Sequence, residues 1–477
     1  MMRVAKVLGF ELDVAMRKPQ RSRKPIAPES CEQGRSRFRR KTDFPLPFGE
    51  GDRFWSAATR RPLSKALTSQ RTLNGWHPLR GLGAPSMSSP SGEGVKPPQA
   101  DLLCVTILRM RILHICSALS IGGGEKHVAS LANNLARRGD EVFVALAPES
   151  PLRGLLQNVP RDHIIELPMR NSLSLGSAWK LARFVRSHAI QIIHAHVGRD
   201  YPLAALAAGR SRAQLVLTRH VMFPLGRVHK LTLRRTARVI AVSQAVAEAL
   251  RAQAIFKSEI ISVIHNGVDV ESFATGKTTV RPNQKKLRVG TVGELAAVKR
   301  HEDFVRVAQS ICAERDDVEF MIAGADKSRD GENCSRLAQL IADAHLGDRV
   351  QLIGWTEDIA NLLTTLDVFV STSESESFGM AIVEAMAAGI PVVATETDGA
   401  REVIEPEVTG RLVPVSEVDL IAGSINELLS DPAERARLGA NGQQAARHRF
   451  GLERMVEDTV KLYEEVMREA AISVPAR

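Results

Sequence analysis

From residue 111 onward, apolar residues gather in short unbroken runs, and between the runs they recur every three or four positions. Runs at 112–116, 141–146, 164–167, 190–194, 215–218, 239–242 and 260–264 are rich in Val, Ile and Leu and do not alternate with polar residues. Such runs read as strands buried on both faces. The stretch 125–138 carries the helical period and predicts an amphipathic helix between the first two strands. Strand–helix alternation implies a parallel sheet covered by helices on both sides. The pattern restarts at 287–292, 318–323, 350–353 and 366–370, and closes with the apolar run 390–395. An α/β protein with two Rossmann-like domains is therefore expected: 110–275, a polar linker at 276–286, then 287–450. A final helix and tail occupy 451–477, with Glu–Lys and Glu–Arg pairings along the helix.

Charge changes this picture only at one end. The chain has 477 residues and a formal net charge of +10. Residues 1–109 hold 20 Lys and Arg against 9 Asp and Glu, whereas residues 110–477 hold 44 against 45. The body is neutral, which argues against nucleic acid as a partner. The first segment lacks apolar periodicity and reads as a disordered basic tail, a transit peptide, or sequence upstream of the native start at Met110. Its scattered acids disfavour the transit peptide, and it has no apolar stretch suited to a signal peptide. Five cysteines without C-x-x-C pairing suggest incidental thiols in a reducing compartment. No apolar run reaches the length of about 18 residues needed to span a membrane. A cytoplasmic location is expected.

The chemistry concentrates in 371–395, STSESESFGMAIVEAMAAGIPVVAT. A buried strand gives way to a Ser/Glu-rich loop, and a helix is expected from about Phe378, with Ser377 as N-cap and Gly389 ending it. Amides of Gly379 and Met380 in its first turn lack intrahelical partners and suit a phosphate. Glu376 and Glu384 would be repelled by phosphate, so they are expected to accept hydroxyl groups of ribose or a hexose. Phosphate-binding amides flanked by two such acids describe a nucleotide sugar. The spacing alone fits a solvated helix face better, since two Glu eight apart occur by chance in most proteins.

The full context, Glu376-Ser-Phe-Gly-Met-Ala-Ile-Val-Glu384 followed by Ala385-Met-Ala-Ala-Gly389-Ile-Pro391-Val-Val, resembles the E-x7-E signature of the retaining GT-B glycosyltransferases of family 4 (GT4). The turn Gly122-Gly-Gly124-Glu125 resembles the glycine turn of that family, while G-x-G-x-x-G is absent. His220, closing LVLTRH, resembles the histidine that reaches the donor sugar. Residues 239–243 and 265–269 resemble structural landmarks near the end of the first domain. Lys299 matches a lysine that clamps the donor diphosphate, whereas Glu294 stands where the family commonly has arginine; Lys299 with Arg300 would then form the clamp. Trp355 resembles a base-framing position, and Arg401 either touches phosphate or pairs with Glu402.

The resemblance implies transfer of a sugar from a nucleoside diphosphate sugar with retention, the donor in the second domain and the acceptor in the first. It implies His220, Lys299 and Glu376 as catalytic residues. Gly124, Arg300, Ser377, Phe378, Gly379, Met380 and Glu384 would bind the donor, and the last helix would cross back onto the first domain. No D-x-D site is evident, and no metal or other cofactor is expected. The acceptor would be a glycan or lipid-linked molecule of cell-surface polysaccharide or lipopolysaccharide synthesis. The basic run 227–238 is either a peripheral contact with anionic membrane at the inner face or a solvated helix face. His194 and His196 read as structural histidines, and Gly276-Lys277-Thr278 is a P-loop fragment without its first glycine. Two rivals are a nucleotide-sugar epimerase of the same fold and a sugar-binding module without chemistry.

Overall fold

The computed structural model describes residues 109–169, 175–274 and 286–472. The expected basic segment, most of the linker and the P-loop fragment lie outside the described residues. All described residues belong to one compact unit. Its first half runs β1 (Arg111–Cys116), α1 (Gly123–Arg138), β2 (Glu141–Leu146), β3 (Ile164–Glu166), α2 (Leu175–Ser187), β4 (Ile192–Ala195) and α3 (Tyr201–Ala208). It continues through β5 (Gln214–Arg219), α4 (Arg227–Thr232), β6 (Arg238–Ala241), α5 (Gln244–Ala252), β7 (Ile261–Val263) and α6 (Val270–Ala274). The strands form one sheet of order β3-β2-β1-β4-β5-β6-β7, parallel throughout.

The second half follows the same plan. It comprises β8 (Leu287–Val292), α7 (His301–Glu314), β9 (Val318–Ala323), α8 (Glu332–Asp343), β10 (Val350–Gly354), α9 (Ile359–Thr364) and β11 (Val368–Ser371). Then come α10 (Met380–Ala387), β12 (Val392–Thr395), α11 (Asp398–Val403), β13 (Arg411–Val413), α12 (Val418–Ser430), α13 (Pro432–Phe450) and α14 (Leu452–Ile472). Its sheet has the order β10-β9-β8-β11-β12-β13, again parallel. Every strand expected from the apolar runs is present; β13 was not marked by the pattern, because it opens on Arg411 and holds only two apolar residues, Leu412 and Val413.

Both sheets reverse their order beside the first strand of each half, between β1 and β4 and between β8 and β11. At such a switch point adjacent loops diverge and leave a crevice at the carboxyl ends of the strands. The loops there are the glycine turn before α1, the 293–300 loop and the 372–379 loop. The fold thus brings to one place the segments that carried the motifs.

The last helix does return to the first half. Gly451 bridges to Val268, and α14 buries Met455, Val456, Val460, Leu462, Tyr463 and Val466 in the core that also holds Ile112 and Val144. A second apolar cluster runs from Val246 and Val268 through Phe450 to Phe378 and Met386, joining the halves behind the cleft.

Candidate active site

The segment after β11 is held by its neighbours rather than by a helix cap. Thr372 donates its hydroxyl to the carbonyls of Lys299 and Arg300 at 3.0 and 3.1 Å, and the Glu374 amide donates to Val298 at 2.8 Å. These bonds fix the 293–300 loop against the 372–376 loop. Lys299 Nζ consequently lies 2.5 Å from Glu376 Oε1, which also accepts from the Ser373 hydroxyl at 2.7 Å.

The α10 helix begins at Met380, two residues later than the sequence suggested, and Ser377 is not its cap. The reason is Gly379, which sits in the left-handed region at φ 96°, ψ 53° and turns the chain sharply into the helix. The Ser377 carbonyl instead accepts from Ser243 Oγ at 2.5 Å, a bond between the two halves. Phe378 is buried, its ring stacked with His265 and set edge-on to Phe450. Beneath the loop the Gly399 amide donates to the Glu376 carbonyl at 3.0 Å. A Cβ on Gly399 would stand 2.6 Å from that oxygen and 2.7 Å from the Phe378 nitrogen. Gly399→Ala is expected to cost about 1–3 kcal/mol through overpacking, read as a lower Tm, and to weaken ligand binding by displacing Glu376.

A cleft of about 570 Å³ runs between the halves, lined among others by Gly124, His220, Lys299, Glu376, Gly379 and Glu384. Ser377, Phe378 and Met380 also line it. The N-terminus of α1 faces that of α10: a Cβ on Gly123 would be 3.3 Å from the Met380 side chain. Two helix ends with free amides and positive polarisation thus converge on one volume. Glu384 is buried and reaches across to Lys126 at 3.6 Å. Burial raises its pKa, and the Lys126 ammonium works in the opposite direction.

Arg300 does not line the cleft with Lys299, contrary to the pairing expected from the sequence. It occupies a left-handed cap at φ 50° and pairs with Asp303 at 2.6 Å and with Glu374 at 3.6 Å, outside the cleft lining. The sequence pattern did not single out Lys327, which lines the cleft after β9 and pairs with Glu294 at 2.7 Å. A cation therefore stands beside the position where the family has arginine, supplied from a neighbouring loop. Only topology puts it there, so spacing along the chain carried no signal. Trp355 lines the cleft and is half exposed. Arg401 pairs with Glu396 at 3.1 Å, not with Glu402. Glu402 instead accepts from the Gln244 amide at 2.8 Å and from His265, tying the halves together at the N-terminus of α5.

His220 packs 3.6 Å from where a Cβ on Gly124 would lie. Burial, then His127 and Arg219, hold its pKa well below the usual range, so the imidazole is neutral. It belongs to a cluster with His114, His127, His194 and His196, of which the sequence marked only His194 and His196. His194 is fully hydrogen-bonded, to the Tyr463 hydroxyl and to Thr218 Oγ1, both at 2.6 Å.

A two-domain α/β enzyme with its ligand cleft at paired switch points, edged by E-x7-E and a lysine, is a glycosyltransferase of GT-B architecture. Residues 276–445 match the model of the glycosyl transferases group 1, and residues 121–272 match that of glycosyltransferase family 4. Together the matches take in well over half the chain, and the protein belongs to the family 4 glycosyltransferases.

Among curated relatives, N-acetyl-alpha-D-glucosaminyl L-malate synthase of Bacillus anthracis is 24% identical over 73% of this chain and 96% of its own length. Phosphatidyl-myo-inositol mannosyltransferase of Mycolicibacterium smegmatis is 29% identical over 75% of this chain and 94% of its own. Among solved structures, a glycosyltransferase from Rickettsia africae superposes with a TM-score of 0.67 at 22% identity, covering 76% of this chain and 99% of that one. Anabaena Alr3699/HepE in complex with UDP gives 0.67 at 24%, covering 75% and 100%.

Proposed function

We propose that the protein transfers a sugar from a nucleoside diphosphate sugar to a glycan or lipid-linked acceptor, with retention at the anomeric carbon and without a divalent metal in the reaction. The observation that carries this reading is the convergence of the two helix N-termini with the Lys299–Glu376 pair on one cleft. In the proposed complex the diphosphate lies against the amides of Gly379 and Met380 and takes Lys299 as counter-ion, with Lys327 beside it. Glu376 and Glu384 accept sugar or ribose hydroxyls, and His220 contacts the sugar from the opposite wall. The acceptor oxygen attacks on the face that the diphosphate leaves. The C–O bond to phosphate breaks as the new C–O bond forms, and the acceptor proton passes to the departing phosphate oxygen. The part of the protein is electrostatic: fixed donors meet charge that develops on the diphosphate. The UDP complex of Anabaena Alr3699/HepE supports a nucleotide donor.

The acceptor half carries a feature suited to a lipid-linked substrate. Phe223 is 74% and Leu231 75% exposed, and Lys230, Arg234 and Arg235 are exposed alongside. His229 Nε2 lies 2.9 Å from the Gly198 carbonyl and anchors α4 to the loop after β4. Apolar side chains ringed by cations fit the surface of an anionic bilayer. Phosphatidyl-myo-inositol figures in the name of the Mycolicibacterium smegmatis relative, which supports the same direction. No helix among the described residues is long and apolar enough to cross a membrane.

The test is a thermal-shift screen of nucleotide sugars on the full chain, followed by product analysis with the donor that stabilises it. The expected outcome is a rise in Tm with one donor class and a product whose anomeric proton coupling matches that of the donor. An inverted product would overturn retention. Epimerised donor formed in the absence of acceptor would establish the rival activity. Stabilisation without turnover across a panel of acceptors, lipid-linked ones included, would favour a binding module.

A further inference from the structure

We propose that His127, His196 and His220 form a site for a zinc-class divalent cation at the floor of the cleft, and that its occupation withdraws His220 from the donor. The three side chains come from separate elements: the second turn of α1, the end of β4 and the end of β5. One ligand nitrogen from each lies within 4.8 Å of the other two. Zn–N bonds of about 2.0–2.1 Å place tetrahedral ligands roughly 3.4 Å apart, so the ligand nitrogens need to close in by at most about 1.4 Å.

Buried polar atoms without partners point the same way. His127 and His196 are 4% and 3% exposed. Both ring nitrogens of His127 and of His220, and Nδ1 of His196, have no hydrogen-bond partner among the described residues. Asn266 lies close enough to favour the charged form of His127, yet burial dominates and its pKa falls to about 4. Unpaired buried imidazole nitrogens are costly, and a cation takes up one nitrogen of each of the three rings at once. The neighbouring trio of His114, His194 and His196 is a poorer site, because both nitrogens of His194 are already bonded.

His196 is also oriented for the role. Its Nε2 lies 3.0 Å from His114 Nδ1, which leaves Nδ1 as the nitrogen available. A hydrogen-bond acceptor on the far nitrogen of a ligand histidine fixes its tautomer and orientation, and His114 Nδ1 takes that part here. Three neutral imidazoles suit zinc, copper or nickel and offer nothing to magnesium, which takes oxygen ligands. His220 lines the cleft, so the fourth position opens towards the donor side. An ion held there would compete with the sugar contact of His220; this half of the inference rests on the function proposed above, whereas the site itself does not.

Equilibrium dialysis of the full chain against zinc chloride, with metal analysis of the protein, is the direct test. One zinc per chain is expected, unaffected by excess magnesium, with affinity lowered roughly 10–100-fold or more in His127→Gln and in His196→Gln. Equal zinc binding in wild type and in both folded variants would overturn the site. Should a variant fail to fold, the cobalt(II) spectrum of the wild type decides. A tetrahedral nitrogen-ligand spectrum is expected, and a sulfur charge-transfer band or no visible band would place the ion elsewhere. Zinc should also raise the KM for the donor. Zinc bound at the histidines without that effect would retain the site and overturn only the competition.

Discussion

Lys299→Ala is expected to lower kcat for sugar transfer by about 10²–10³-fold, the loss of about 2.7–4 kcal/mol that follows removal of one preorganised donor to developing charge. The effect should fall on kcat and kcat/KM alike, because charge on the leaving diphosphate grows mainly as the bond breaks. Lys299 is well placed for this. Its backbone is pinned by the Thr372 hydroxyl and its ammonium is held at 2.5 Å by Glu376, so little reorganisation remains to be made in the complex. Removing it also leaves Glu376 facing the phosphates without its counter-ion, which adds repulsion. The double variant with Glu376→Ala should therefore lose less than the sum of the single losses. Lys327 lies in a more exposed ion pair with Glu294, and Lys327→Ala should cost correspondingly less. A Lys299→Ala enzyme with unchanged kcat, measured at saturating donor, would remove the lysine from the chemistry and leave the helix amides to act alone.

The strands were legible because a parallel sheet buried on both faces demands uninterrupted Val, Ile and Leu. The Glu376 and Lys299 loops were legible through motif context. What spacing could not show is what the switch points bring together from afar. Lys327 follows β9, far in sequence from the marked residues, and His127, although only two residues beyond the marked glycine turn, meets His196 and His220 only because β4 and β5 lie beside β1 in space. Local conformation hid other details. Gly379 in the left-handed region delays α10 and leaves Ser377 to bond with Ser243. Arg300, likewise left-handed, turns towards Asp303 although it follows Lys299 directly. Adjacency in sequence says little about shared direction where the backbone reverses between two residues. Glu402 gave no sign of its partners, Gln244 and His265, because the helix end it caps belongs to the other half.

A chain ending at Gly451 is expected to be insoluble, or to lack the near-UV signal of fixed aromatic packing, even though it retains every strand and every residue of the cleft. The reason is the core of the first half. Met455, Val456, Val460, Leu462, Tyr463 and Val466 of α14 are all buried there against Ile112, Val144 and Leu131. Each side chain is worth roughly 1.5–3 kcal/mol when buried, so their joint loss of roughly 10 kcal/mol or more rivals the whole stability of a typical domain, about 5–15 kcal/mol. A buried hydrogen bond goes with them, since the Tyr463 hydroxyl meets His194 Nδ1 at 2.6 Å. Tyr463→Phe separates that bond from the packing: it keeps the ring and leaves the histidine nitrogen unpaired, at a cost of about 1–3 kcal/mol. This variant should fold, with a lower Tm and unchanged near-UV shape. A soluble truncated chain with native near-UV circular dichroism would mean that the first sheet closes its own core, and that α14 serves only to tether the two halves.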